Sequence, residues 1–244
     1  MHSTTEVLKF ILILTSVVAL GLTGLREATK SMAEANEAIF NKKGVLLSLQ
    51  GHFTDEDKVK DWDDTRVEET YNSKIKGYVF DAKGNVVEGK AAIDLEKDRD
   101  KNNKLTVEDR LYPVWVYSDG GKKYYIVAVY GKGLWDKIWG CVALEDDMNT
   151  IAGAGFDHKG ETPGLGAEIK DNAGFPKSFR GRKIYAADGT YKSVNVRKGG
   201  AKDVTHEVDG ISGATITANG VSAMFYEGFK LYDPILKSVK EKNL

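Results

Sequence analysis

Few side chains in this sequence are available for chemistry. A single cysteine, Cys141, allows no intrachain disulfide, CxxC redox pair, thiolate zinc site or iron–sulfur cluster held by this chain alone. His2, His52, His158 and His206 are scattered and form neither an HxxxH nor an HxH pair, which points away from metal chemistry. Glycine is abundant instead, at 26 of 244 residues against a usual share of about 7%. It gathers in three segments: Gly131-Lys132-Gly133-Leu134-Trp135 with Gly140, Gly160-Glu161-Thr162-Pro163-Gly164-Leu165-Gly166, and Gly210-Ile211-Ser212-Gly213-Ala214-Thr215. Glycine removes the Cβ that would hold a flat ligand or a phosphate away from the backbone. One such segment alone reads as an ordinary turn. Three in one chain favour a binding site.

None of the three is a P-loop, because GxxxxGK[ST] is absent and Gly131-Lys132-Gly133 lacks the spacer. None is a dinucleotide fingerprint, since Gly164-Leu165-Gly166 continues into Ala167-Glu168-Ile169 without a third glycine. The third segment runs directly into a helical pattern over Ala218 to Tyr232, with Val221, Met224, Phe225, Gly228, Leu231 and Tyr232 at helical spacing. Thr215 or Thr217 is the expected N-cap. The unpaired amides and dipole of that helix end suit a phosphate, and a capping threonine is compatible with one. His206 reads as a surface or capping histidine, and Lys132 and Lys159 as solvated lysines that could balance an anion.

The elements that must position these loops follow from periodicity. Ile75–Phe80 alternates into the turn Lys83-Gly84-Asn85, and Val114–Tyr117 and Tyr124–Tyr130 flank Ser118-Asp119-Gly120-Gly121. Cys141–Leu144 and Ile151–Phe156 flank a turn at Asp146–Asn149, and Ile184–Ala187 and Ser193–Val196 flank Asp188-Gly189. Lys90–Arg110 is polar and reads as a surface excursion. Acidic His52–Glu69 reads as a solvated helix with loops, since it lacks the glycine and terminal glutamate of an EF-hand. Hairpins with segregated helices predict an α+β domain.

Ahead of this domain, Val7 to Leu25 carries one charge, Lys9, and as a helix reaches roughly 28 Å, close to a bilayer core of about 30 Å. It has no polar stripe. Thr15, Ser16 and Thr23 can bond back to their own helix. Ala19-Leu20-Gly21 offers a peptidase site, but the apolar run continues past it, which favours an uncleaved anchor. Lys9 on one side and Arg26, Lys30, Lys42 and Lys43 on the other leave the topology open: the charge count favours a cytoplasmic body, and the long polar domain the opposite. The expected organisation is a tail over 1–6, a transmembrane helix over 7–25, a helical connector over 26–70 and an α+β domain over 71–244. Lys plus Arg at 35 against Asp plus Glu at 36 gives a net charge of −1, which argues against a general nucleic-acid binder.

Asp209–Thr217 (DGISGATIT), Lys159–Ile169 (KGETPGLGAEI) and Gly131–Gly140 (GKGLWDKIWG), behind a single span, resemble the C subunit of the Na+-translocating NADH:quinone oxidoreductase, a covalent FMN-binding domain family. The resemblance covers essentially the whole chain. It implies a transmembrane helix followed by a mixed, largely antiparallel sheet with flanking helices, and an FMN joined through its phosphate to Thr215. Asp209, Ser212, Gly213 and Ala214 match the acceptor motif, with Asp209 and Ser212 either recognised by a separate flavin transferase that uses FAD and Mg2+ or ordering the loop. Thr162, Pro163, Gly164 and Leu165 match a loop lying against the flavin, and Gly133, Leu134 and Trp135 match a second wall. It further implies other subunits of the complex as partners, a bacterial inner-membrane location, a periplasmic flavin domain, and electron relay from NADH towards quinone coupled to Na+ export. The chain would be a redox subunit with no catalysis of its own. The alternatives are the G subunit of the related ferredoxin:NAD+ oxidoreductase (Rnf) complex and a non-redox anchored binding module in which the threonine is only a helix cap. With no acidic residue between Val7 and Leu25, the span is not expected to bind the ion.

Overall fold

A computed structural model describes residues 3–54 and 56–244. The chain divides into two compact units, one ending at Phe40 and one spanning Asn41–Leu244. Helix α1 (Thr4–Leu47) begins in the first unit and ends in the second. In the first unit its apolar side chains, from Val7 and Leu8 to Leu22 and Leu25, are exposed all round. An 18-residue window has mean hydropathy 2.1, so the helix is long and apolar enough to cross a membrane. Thr15 donates its hydroxyl to the Ile11 carbonyl at 2.8 Å, hiding that polar group within the helix.

The second unit continues with α2 (Asp64–Lys74), β1 (Ile75–Phe80), α3 (Ala92–Lys97), α4 (Arg99–Asn102), β2 (Tyr112–Asp119), β3 (Lys122–Lys132), β4 (Lys137–Leu144) and β5 (Ile151–His158). The short α5 (Glu168–Asp171) and α6 (Gly174–Lys177), β6 (Asn195–Arg197), β7 (Glu207–Asp209) and the long α7 (Thr215–Glu241) complete it. Strands β1 to β5 form one antiparallel sheet in sequence order, and β6 and β7 form a separate parallel pair. The fold is therefore α+β with a five-stranded antiparallel sheet and flanking helices. Apolar residues at successive strand positions explain why both faces of that sheet are covered. Val114, Val116, Val127, Val129, Ile138 and Val142 join Val221, Met224, Phe225 and Phe229 of α7 in the main core. Trp115, Tyr117, Ile126, Ala128 and Cys141 are buried as well, on the alternate positions of the same strands. There the end of α1 lies so close that a Cβ on Gly155 would meet that of Leu47 at 2.9 Å.

Three expectations change. The hairpin expected from Ile184–Ala187 and Ser193–Val196 is only a single Tyr185–Tyr191 bridge, and β6 pairs in parallel with β7 instead. The polar Lys90–Arg110 stretch is not wholly an excursion: α3 docks on the sheet, burying Ala92 and Glu96. Glu96 meets the Tyr130 hydroxyl and lies 3.3 Å from Arg99, whose guanidinium stacks on Trp139 at 4.0 Å. A buried carboxylate with two partners lets a polar segment close one face of the sheet. In the acidic His52–Glu69 stretch, Val59, Trp62 and Val67 are buried, so its apolar minority packs inward instead of leaving the whole segment solvated.

Candidate functional site

Helix α7 sets the site because it lies unusually close to β3. Gly220, Met224 and Gly228 form one stripe on the helix, four residues apart. A Cβ on Gly228 would meet Val129 Cγ1 at 2.8 Å, one on Gly131 would meet Met224 Cβ at 2.8 Å, and one on Gly220 would strike the Lys132 carbonyl. These contacts bring the first turns of α7 beside the β3–β4 turn, where the Gly133 amide donates to the Asp136 carbonyl at 2.8 Å.

The start of α7 differs from the expectation. Thr215 is its first residue, and the cap position is held by Ala214, which has no side-chain acceptor. Thr217 lies inside the first turn. The threonine pattern reads as a cap in sequence, but a buried partner has claimed Thr217. Among the described residues, no hydrogen bond takes the amides of Thr215, Ile216 and Thr217, and the first helical bond runs from the Ala218 amide to the Ala214 carbonyl at 2.9 Å. Thr215 is half-buried and its hydroxyl has no hydrogen-bond partner among the described residues. The helix therefore presents three amide donors and a free hydroxyl at one end.

The second loop meets this end backbone to backbone. Gly164 and Gly213 both adopt positive φ, at 81° each, and a Cβ on Gly213 would lie 2.6 Å from the Gly164 carbonyl oxygen. Thr162 closes the turn through its carbonyl, which accepts from the Leu165 amide at 3.0 Å and the Ala167 amide at 3.2 Å, while Glu168 accepts from the Gly164 and Gly166 amides. Pro163 is exposed, and Leu165, Trp135 and Ile216 expose 41%, 62% and 58% of their surfaces around the same end of α7. Large apolar side chains left open on three converging segments can take a flat aromatic ligand. Among the other motif residues, Ser212 is exposed, and Asp209 orders the preceding loop by accepting from the Ala201 amide at 2.7 Å.

Sequence reasoning missed the residue that joins all three segments. Glu161 is 5% exposed. Its Oε1 accepts from the amides of Trp135 at 2.9 Å and Asp136 at 3.2 Å, and its Oε2 from the Leu134 amide at 3.1 Å and the Thr217 hydroxyl at 2.6 Å. Burial pushes its carboxyl up, but the Thr217 hydroxyl and the amides of Trp135, Asp136 and Leu134 outweigh burial and hold it below the usual range. The only signal in the sequence is position: Glu161 falls inside a matched segment with no role of its own, and Thr217 reads only as an alternative cap.

Other side chains take plainer places. Lys159 pairs with Asp136 at 3.3 Å, and Lys132 is exposed. His206 is buried and not at the surface, its Nδ1 lying 2.7 Å from the Lys183 carbonyl, which ties the β6–β7 region to the segment after β5.

The model of the FMN-binding domain family matches residues 133–230, from the glycine of the first loop through most of α7. The chain is 30% identical to the C subunit of the Na(+)-translocating NADH-quinone reductase of Vibrio alginolyticus, over 96% of this chain and 92% of that one. It belongs to this family of C subunits. The corresponding protein of Haemophilus ducreyi is 33% identical over 73% of this chain and 75% of its own length. The crystal structure of the C subunit from Parabacteroides distasonis superposes with a TM-score of 0.71 at 36% identity, covering 85% of this chain and 96% of that one. In this member of the family, the antiparallel sheet and long C-terminal helix described above follow an apolar N-terminal helix.

Proposed function

We propose that this chain carries FMN as a phosphoester on Thr215 and relays electrons within a Na+-translocating NADH:quinone oxidoreductase, between donor and acceptor groups on neighbouring subunits. The observation that supports this most directly is the free Thr215 hydroxyl at the uncapped start of α7, beside the glycine loops. The residues fit such a group. The three open amides and the helix dipole suit a phosphodiester, and Trp135, Leu165 and Ile216 offer apolar surface to a flat ring. When bound, FMN supplies reversible one-electron chemistry, and the protein supplies its position and electrostatics. Thr215 provides the oxygen that takes the riboflavin phosphate from FAD, its proton being lost and AMP leaving, in a reaction run by a separate flavin transferase with Mg2+. Gly213 and Gly164 let the acceptor loop and the second loop approach without side chains between them. The tether keeps the cofactor from diffusing away.

The apolar helix anchors the chain in the inner membrane, with the flavin domain on the periplasmic side and the other subunits of the complex as partners. Electrons pass from NADH towards quinone, coupled to Na+ export. The relatives named above are C subunits of the sodium pump, which favours this reading over the Rnf G subunit. A denaturing gel of chain co-expressed with the transferase tests it: flavin fluorescence should migrate with the polypeptide and vanish in Thr215→Ala. Fluorescence retained in that variant would refute the attachment.

A further inference from the structure

Four hydrogen-bond donors from two separate parts of the fold converge on one side chain. Leu134, Trp135 and Asp136 send three consecutive amides from the β3–β4 turn, and Thr217 sends its hydroxyl from the first turn of α7. Glu161 itself belongs to the second loop, where its amide donates to His158 Nδ1 at 3.1 Å. The carboxylate also accounts for two motif glycines: a Cβ on Gly133 would lie 2.6 Å from Oε1, and one on Gly166 would lie 2.5 Å from Oε2. We infer that Glu161 is the positioning residue of the flavin site, a buried carboxylate that fixes the turn carrying Trp135 and the second loop to the start of α7 before any flavin is attached. The role in flavin binding rests on the proposal that Thr215 carries FMN; the locking of the loops does not.

The chemistry calls for a carboxylate in particular. It accepts at both oxygens and donates at neither, so it can satisfy two donors on each side. Glutamine matches its shape but turns an NH2 towards one of those pairs. Facing Trp135 and Asp136, it leaves two amides without an acceptor. Facing the other pair, it leaves the Leu134 amide only the Thr217 oxygen at 3.3 Å, while the Thr217 hydroxyl turns to the Leu165 carbonyl at 3.3 Å. Thr217→Val removes one donor to Glu161 and also the oxygen that takes the Leu134 amide at 3.3 Å, and Thr217→Ser keeps both. A bond to the ionised group matters more than a neutral one, so its loss should be visible locally.

The test uses the full chain in detergent, made with and without the flavin transferase, as wild type, Glu161→Gln, Thr217→Val and Thr217→Ser. In the flavin-free chain, amide hydrogen exchange should accelerate about tenfold or more in Glu161→Gln on the side its NH2 faces, at Trp135 and Asp136 or at Leu134, and by less in Thr217→Val, at Leu134, with central β2–β3 amides unchanged. Thr217→Ser should retain wild-type protection. In the loaded chain, Glu161→Gln should still carry flavin on Thr215, with lowered flavin fluorescence anisotropy and a shifted midpoint potential. Unchanged exchange in the turn, or protection lost evenly over the whole domain, would overturn the inference. If Glu161→Gln does not fold, the two Thr217 variants decide it by the same readings. Wild-type chain lacking flavin would defeat the attachment proposal, while exchange in the flavin-free chain would still decide the role of Glu161.

Discussion

At the scale of single residues, the site depends on one carboxylate being ionised and two glycines being bare. The folded Glu161 carboxyl lies below its ordinary value of 4.5, so its stabilising contribution is fully present above that pH and is lost as pH falls through the folded value. The stability gap between wild type and Glu161→Gln, measured by urea denaturation, should therefore be widest near neutrality, at about 1.5–3 kcal/mol, and should close on acidification below 4.5. Using the difference cancels the acid response of every other carboxylate. A gap independent of pH would contradict an ionised Glu161. Gly213→Ala forces a side chain into positive φ and onto the Gly164 carbonyl, and should cost about 1–3 kcal/mol in the same assay. The bare-glycine approach of Gly213 to Gly164 follows from motifs that are local in sequence. The role of Glu161 was not legible there, because its partners lie in a turn and a helix far along the chain, and nothing nearby shows which way a carboxylate points. His206 failed for the same reason: its Nδ1 meets the Lys183 carbonyl, 23 residues away.

At the scale of elements, α7 is both part of the core of the domain and the base of the site. Phe225 and Phe229 are fully buried, and Phe225 stacks on Phe179 with ring centroids 4.8 Å apart. Phe225→Ala should cost about 3–5 kcal/mol, seen as a lowered denaturation midpoint. Gly220→Ala is the more informative change, because its Cβ would strike the Lys132 carbonyl where the helix approaches the first loop. It should loosen the Leu134–Asp136 amides in hydrogen exchange before it affects β1 and β2. Strands β1 to β5 follow from strong β propensity, but the expected hairpin of Ile184–Ala187 with Ser193–Val196 reduces to one Tyr185–Tyr191 bridge, because β6 pairs instead in parallel with β7, a contact distant in sequence that no local turn marks. The helix start was not readable, because Thr215 and Thr217 offer the same cap signal and only the buried bond to Glu161 separates them. The α3 segment read as polar surface because its docking rests on the buried Glu96–Tyr130 contact and the small Ala92.

At the scale of the whole molecule, the two units suit opposite solvents. Up to Phe40 the chain offers exposed apolar side chains around a continuous helix, whereas Asn41–Leu244 buries its core within itself, including Val45, Leu46 and Leu49. A chain beginning at Asn41 should purify without detergent, unfold cooperatively and still accept flavin from the transferase. Aggregation of that shorter chain would show that the domain needs its leading helix to fold. The central claim is the bond at Thr215, and mass spectrometry tests it most directly. Intact chain extracted from its native membrane should weigh more than its sequence by FMN less one water, with the increment on the peptide containing Thr215. A chain of unmodified mass, or an increment on another residue, would contradict the account.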